Sequence, residues 1–171
     1  AGVPIAIAIT MQEGIPSCYT RKLEGVKTIE DFESRICDYG EHSLMEGEIE
    51  DGDVIAIVDD LVTRFDSKIL ALEQVRYEVK RREKETGKKV NVTCKDVVVL
   101  VDREQGAFER ARSLGMNLYS LIPFKSKGIH WLKKRITSIE YEIMLDYLND
   151  DLKYQDKKIQ SRLIDLALRK K

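Results

Sequence analysis

The chain has 171 residues, enough for one ordinary core, with 43% hydrophobic and 35% charged residues. That balance excludes a disordered chain, and a formal net charge of −1 removes any bulk pull toward nucleic acid or an anionic membrane. Apolar runs are strand-sized, too short to span a bilayer, and Cys18, Cys37 and Cys94 lack metal-ligand spacing, so free thiols in a reducing cytoplasm are expected.

The first ten residues, AGVPIAIAIT, carry neither a basic leader nor an initiator methionine, so the chain reads as a fragment without a secretory signal. Residues 2–14 suit a helix closed by Gly14, with Pro4 tolerated in its first turn. Residues 17–22 (SCYTRK) suit a short strand. Residues 23–43 are polar and without a persistent period, which predicts a long loop with a helical turn around residues 30–36. Asp51-Gly52 marks a turn, and residues 54–58 (VIAIV) form the continuous apolar run of a buried parallel strand.

Residues 67–84 place Ile69, Leu72, Val75 and Val79 on one helical stripe. Residues 97–101 (VVVLV) predict a second buried strand, which runs into Asp102 and Arg103. A helix over 106–114 follows, closed by Gly115, with Phe108, Ala111 and Leu114 inward, and residues 118–124 give a last strand. Alternating strands and helices argue for a mostly parallel sheet flanked by helices and joined by right-handed crossovers. From Lys125 onward the chain turns helical, with a break near residues 149–151. Ile136, Ile139, Ile143, Leu145 and Leu148, then Ile159, Leu163, Leu166 and Ala167, are expected to pack on the core or on a dimer partner. The basic run 125–135 is expected to be a solvated face around a buried Trp131, with His130 beside it and no nucleic acid bound.

The segment that carries chemistry is 54–67, VIAIVDDLVTRFDS. A strand runs into Asp59 and Asp60, then a loop, then a helix opening at Ser67. In open α/β sheets ligands bind beyond the carboxyl ends of strands, and helix N-termini there favour phosphate. Adjacent acids can hydrogen-bond a sugar's vicinal hydroxyls or sit near a metal ion, while Thr63 and Ser67 can donate to phosphate oxygens. Equally, the acids can simply start a turn while Ser67 caps a helix.

This segment resembles the phosphoribosyl pyrophosphate signature of type I phosphoribosyltransferases: four hydrophobic residues, two acids, then a hydroxyl- and glycine-rich phosphate loop. AGVPIAIAI, IPSCYTRK, MEGEIEDGD and VVVLVDREQGAFERARSLGMNLYSLIPF are similar, in the same order, to segments of orotate phosphoribosyltransferases. The resemblance spans residues 1–124 and implies a phosphoribosyltransferase-like core, with residues 125–171 a C-terminal helical extension beyond the family's usual ending. It also implies an N-terminal hood and first core strand preceding residue 1.

The implied reaction transfers phosphoribosyl from phosphoribosyl pyrophosphate to orotate, giving orotidine monophosphate and pyrophosphate, with Mg²⁺ held mainly by substrate oxygens and water. Asp59 and Asp60 take the catalytic places at the ribose. Arg21 and Lys22 fall at the pyrophosphate, Arg103 at the orotate carboxylate, and Thr63, Arg64, Phe65, Asp66 and Ser67 form the phosphate loop. No resident protein-held metal is implied, and the family implies a cytoplasmic homodimer.

Three departures qualify the resemblance. Arg64, Phe65 and Asp66 occupy places where the family carries hydroxyl residues and glycines. A forced backbone there costs about 1–3 kcal/mol. A carboxylate about 4 Å from phosphate adds about 1–4 kcal/mol per charge pair, with Arg64 expected to recover part through phosphate or Asp66. In the mobile loop, alignment on Gly40 puts Cys37 at the family's lysine place and Tyr39 at its histidine place; spacing supports neither Lys27 nor Arg35, and His42 is expected at the surface. The third departure is the absent hood. An orotate phosphoribosyltransferase is therefore expected. The alternative is a catalytically impaired nucleotide-binding or assembly protein on the same fold.

Overall fold

A computed structural model describes residues 2–36 and 43–168. The loop positions Cys37, Tyr39, Gly40 and His42 lie outside the described residues. Helix α1 (Gly2–Glu13) ends as expected at Gly14, whose φ of 70° and N–H bond to the Thr10 carbonyl close the last turn. Strand β1 (Tyr19–Thr20) pairs antiparallel with β2 (Met45–Glu46), a strand that sequence pattern did not reveal. Between them α2 (Ile29–Arg35) is started by a capping box: Thr28 accepts from the Asp31 N–H and the Asp31 side chain accepts from the Thr28 N–H. The predicted turn of helix is this element.

The main sheet has three parallel strands in the order β3-β4-β5, with β3 Val54–Val62, β4 Thr93–Asp102 and β5 Asn117–Pro123. Helix α3 (Asp66–Thr86) joins β3 to β4, and α4 (Ala107–Ser113) joins β4 to β5. One face of the sheet meets these two helices. Its core holds Val62, Phe65, Ile69, Leu72, Val97, Val99, Ala107, Ala111 and Met116.

Strand β3 differs from expectation in two ways. It lies at the sheet edge, and Val54 is 75% exposed, so it is not a fully buried strand. It also continues through the acid pair, because its ladder with β4 persists at Asp59↔Val99, Leu61↔Val101 and Val62↔Asp102. Helix α1 packs against this strand. A Cβ on Gly2 would press on the Val58 carbonyl oxygen and fall 3.2 Å from Asp59 Oδ1, so the approach requires glycine.

Helix α3 carries more than the expected apolar stripe. On a second line, four residues apart, Gln74 donates to the Arg21 carbonyl (2.7 Å), Glu78 accepts from the Leu44 N–H, and Arg82 donates to the Ile49 carbonyl (2.8 Å). Gln74 and Glu78 are buried. The β1–β2 unit is therefore hung on α3 by polar side chains.

After β5 a π-helical turn (Phe124–Gly128) leads into α5 (Ile129–Leu132), α6 (Ser138–Asn149), a 3-10 turn (Lys153–Gln155) and α7 (Lys157–Leu168). The break at 149–151 is where expected. Ile129 and Leu148 are buried, but Trp131 is 63% exposed and Ile139 is exposed as well. In α4, Phe108 is 55% exposed and Leu114 exposed, while Ala107 and Ala111 face inward. The small residues let α4 lie close to the sheet and leave its large apolar side chains at the rim.

Candidate active site

The end of β3 brings several predicted residues together, with one partner that sequence reasoning missed. Lys68, 2% exposed, directs Nζ to Asp59 Oδ2 (2.5 Å), the Leu61 carbonyl (2.9 Å) and Ser67 Oγ (3.2 Å). All three ammonium donors are satisfied. Asp59 Oδ1 accepts from the Asp60 N–H (2.9 Å), so both Asp59 oxygens are engaged. Burial pushes the Asp59 carboxyl up, but the Lys68 ammonium, by hydrogen bond and charge, and the Asp60 N–H outweigh it. The net result lies below the ordinary value of 3.8. A signal existed in the sequence: a lysine in the first turn of a helix is disfavoured by the dipole unless a carboxylate meets it, and Asp59-Asp60 stand one loop away.

The loop itself is rooted by Phe65, which precedes α3 in the left-handed region (φ 76°) and is 1% exposed in the core. Its carbonyl accepts from the Lys68 and Ile69 N–H groups. The helix thus opens at Asp66, one residue before the expected Ser67. The Phe65 ring faces the core, leaving only its backbone toward the loop. Asp66 and Ser67 are exposed, with Asp66 in the first turn, where a carboxylate meets the positive end of the helix dipole. Thr63 is half-buried.

Arg64 does not pair with Asp66. Its guanidinium donates to Asp151 Oδ1 in the segment after α6. Arg103 follows β4, and its N–H donates to the Val62 carbonyl (3.0 Å), which holds the ends of β3 and β4 together. Its guanidinium lies over the Tyr147 ring of α6, 4.9 Å from the centroid. Beside it, Asp102 is buried, which pushes its carboxyl upward, and Gln105 Oε1 is buried without a hydrogen-bond partner among the described residues. An open cleft of about 570 Å³ lies along β5 and α4, lined by Asp102, Glu104, Glu109, Phe108 and Tyr119 among others; its carboxylates make it unsuited to a phosphate.

Arg21 and Lys22 stand elsewhere. Arg21 pairs with Glu46, and its carbonyl is held by Gln74, about 12 Å along the α3 axis from Asp66. Lys22 is exposed. Lys27 and Arg35 serve α2: the Lys27 N–H caps onto Asp31, and Arg35 reaches the Glu24 carbonyl. Among the described residues no three His, Cys, Asp or Glu side chains are grouped to cage a metal, and no helix is long and apolar enough to cross a membrane.

The chain is 26% identical over 121 residues to the orotate phosphoribosyltransferase of Halobacterium salinarum, covering 71% of this chain and 55% of that protein. It is 32% identical over 120 residues to the one from Pyrococcus abyssi, covering 70% and 53%. No family model matches the chain. Among solved structures, Leishmania donovani UMP synthase aligns with a TM-score of 0.63 at 25% identity, covering 86% of this chain and 27% of that one. Orotate phosphoribosyltransferase from Aeropyrum pernix aligns at 0.54 and 23%, covering 75% and 60%. The chain spans about half the length of the curated relatives it matches. It has the type I phosphoribosyltransferase fold and is a divergent relative of the orotate phosphoribosyltransferases.

Proposed function

We propose that the chain carries the active-site core of an orotate phosphoribosyltransferase, transferring phosphoribosyl from phosphoribosyl pyrophosphate to a nitrogen of orotate with release of pyrophosphate. The observation that carries the reading is the joint end of β3 and β4. There Asp59-Asp60, the Thr63 loop, the start of α3 and Arg103 are drawn together by the Arg103 N–H bond to the Val62 carbonyl.

In this reading Asp60, whose carboxylate is not taken by Lys68, hydrogen-bonds the ribose hydroxyls. Asp59, kept ionised by Lys68, supplies negative charge as C1 becomes cationic. Thr63, Ser67 and the N–H groups at the start of α3 receive the 5′-phosphate. Arg103 presents a fork to the orotate carboxylate. Arg21 and Lys22 are assigned to pyrophosphate on the resemblance alone.

A Mg²⁺ ion fits a donor set of one half-buried carboxylate outside the Lys68 pair, Asp60, because this cation keeps water and substrate oxygens as ligands. It would offset charge on the departing pyrophosphate. A homodimer in the cytoplasm completes the reading.

Asp66 beside the phosphate weakens binding. About 1–4 kcal/mol of repulsion corresponds to about five- to a thousandfold in affinity. The test mixes the chain with orotate, phosphoribosyl pyrophosphate and Mg²⁺ and follows orotate absorbance. Slow turnover that Asp66→Ser accelerates is expected. Binding of both substrates without turnover, in wild type and Asp66→Ser alike, replaces the enzyme with a metabolite-binding module.

A further inference from the structure

The extension past β5 touches the site at two arginines that come from two different loops. Tyr147 lies against the Arg103 guanidinium at 4.9 Å, and Asp151, just past the end of α6, pairs with Arg64. The Tyr147 ring is itself held. Tyr154 meets it edge-on at 5.4 Å and 85°, and the Tyr154 hydroxyl donates to Asp146 Oδ2 (2.7 Å), which Lys153 also pairs. Burial and this hydrogen bond push the Tyr154 hydroxyl up to about 12, so it remains a donor at neutral pH.

We propose that Tyr147 is a positioning residue of the base site. Its ring face fixes the plane of the Arg103 guanidinium so that the N–H edge stays open to a planar substrate's carboxylate, and the Arg64–Asp151 pair fastens the extension across the loop. The proposal rests on the reading of Arg103 as the orotate ligand. An arginine side chain loses much rotamer freedom when it grips a carboxylate, and a ring that already holds its plane lowers that loss. A ring over a guanidinium blocks the face and leaves the edge donors free. Arg64, by contrast, is neutralised by Asp151, so the extension leaves one arginine open and occupies the other.

The experiment titrates the full chain by calorimetry with orotate, and separately with phosphoribosyl pyrophosphate and Mg²⁺. Tyr147→Leu is expected to weaken orotate about three- to thirtyfold while leaving the other ligand within about twofold. Tyr147→Phe, which keeps the ring, is expected to match wild type for both. Tyr147→Leu binding orotate as tightly as wild type, or losing both ligands alike, overturns the proposal. Should Tyr147→Leu fail to fold, the Arg103 Nε–Hε resonance of the wild type, assigned through Arg103→Lys, decides. It is expected upfield from the ring current and displaced by orotate but not by phosphoribosyl pyrophosphate; a resonance that orotate leaves in place overturns the proposal. Wild type that binds no orotate at all sinks the reading of the site, and this proposal with it. That result differs from tight wild-type binding with an indifferent Tyr147→Leu.

Discussion

Phe65 shows how one residue can both break a local rule and anchor a fold. Its left-handed backbone costs about 1–3 kcal/mol, and its ring is one of the largest fully buried side chains. A glycine there would relieve the strain but open a ring-sized cavity, for which Phe truncations cost about 3–5 kcal/mol. Phe65→Gly is therefore expected to destabilise the chain by about 2 kcal/mol net, read from the urea midpoint at unchanged slope. Restoring a family-like loop thus begins at Asp66, which is exposed, and not at Phe65.

Lys68 makes the second residue-scale prediction. Removing one partner of a buried ion pair costs about 3–5 kcal/mol, and the 27% exposure of the Asp59 side chain reduces this to about 1–3 for Lys68→Met. The sign with pH follows from the direction of the shift. Asp59 is held below its ordinary 3.8, so the pair's contribution is complete above that value and is lost as pH falls through the lowered one. Melting curves of wild type and Lys68→Met should be parallel from pH 5 to 7 and converge below about pH 4. The raised Asp102 carboxyl acts in the opposite sense but is common to both proteins, so the difference between them isolates Asp59.

Among elements, α3 is the one whose sequence says most and least. Its apolar stripe was legible because Ile69, Leu72 and Val75 recur at helical spacing and are all buried. Its polar line of Gln74, Glu78 and Arg82 was not. Glutamine, glutamate and arginine on a helix normally face water, and only the acceptors and donors of residues 21, 44 and 49 turn them inward, Gln74 and Glu78 buried and Arg82 half-buried. Glu78→Ala would strand the Leu44 N–H and leave Arg81 with Glu85 as its one remaining carboxylate among the described residues. A loss of about 2–4 kcal/mol is expected, against a few tenths for the exposed Glu85→Ala, both measured by chemical unfolding.

Strand β3 illustrates the other limit. Hydropathy ends at Val58, but in a parallel ladder the partner strand sets the length, so pairing carries on through two carboxylates. That shift matters to the site, because Asp59 and Asp60 are held by a ladder instead of swinging on a loop. At α4, the trio Phe108, Ala111 and Leu114, spaced three residues apart, promised an inward face. Only the alanine fits beneath the helix, and the larger pair stands at the rim. Periodicity reports which face is apolar and leaves the depth of the gap unstated.

At the scale of the molecule, the alternation of strands and crossover helices from residue 54 to 123 and the helical ending were readable because each rests on local pattern. The contacts that finish the site were not. Arg64 with Asp151 and Arg103 with Tyr147 join residues far apart in the chain, and nothing in the intervening sequence marks them as partners. The chain also covers only about half the length of its curated relatives, so the resemblance bears on part of those proteins.

The hanging of the β1–β2 unit on α3 has a consequence for how the molecule opens. Two-residue strands have too few ladder bonds to protect themselves, and these are not joined to the main sheet. Their amides should exchange with deuterium only when α3 lets go. Native-state hydrogen exchange is thus expected to show the Arg21 and Leu44 amides opening with the middle of α3 as one cooperative unit, with Glu78→Ala uncoupling them. Exchange of those amides at the speed of an exposed loop in the wild type would mean that the spar and its load come apart separately.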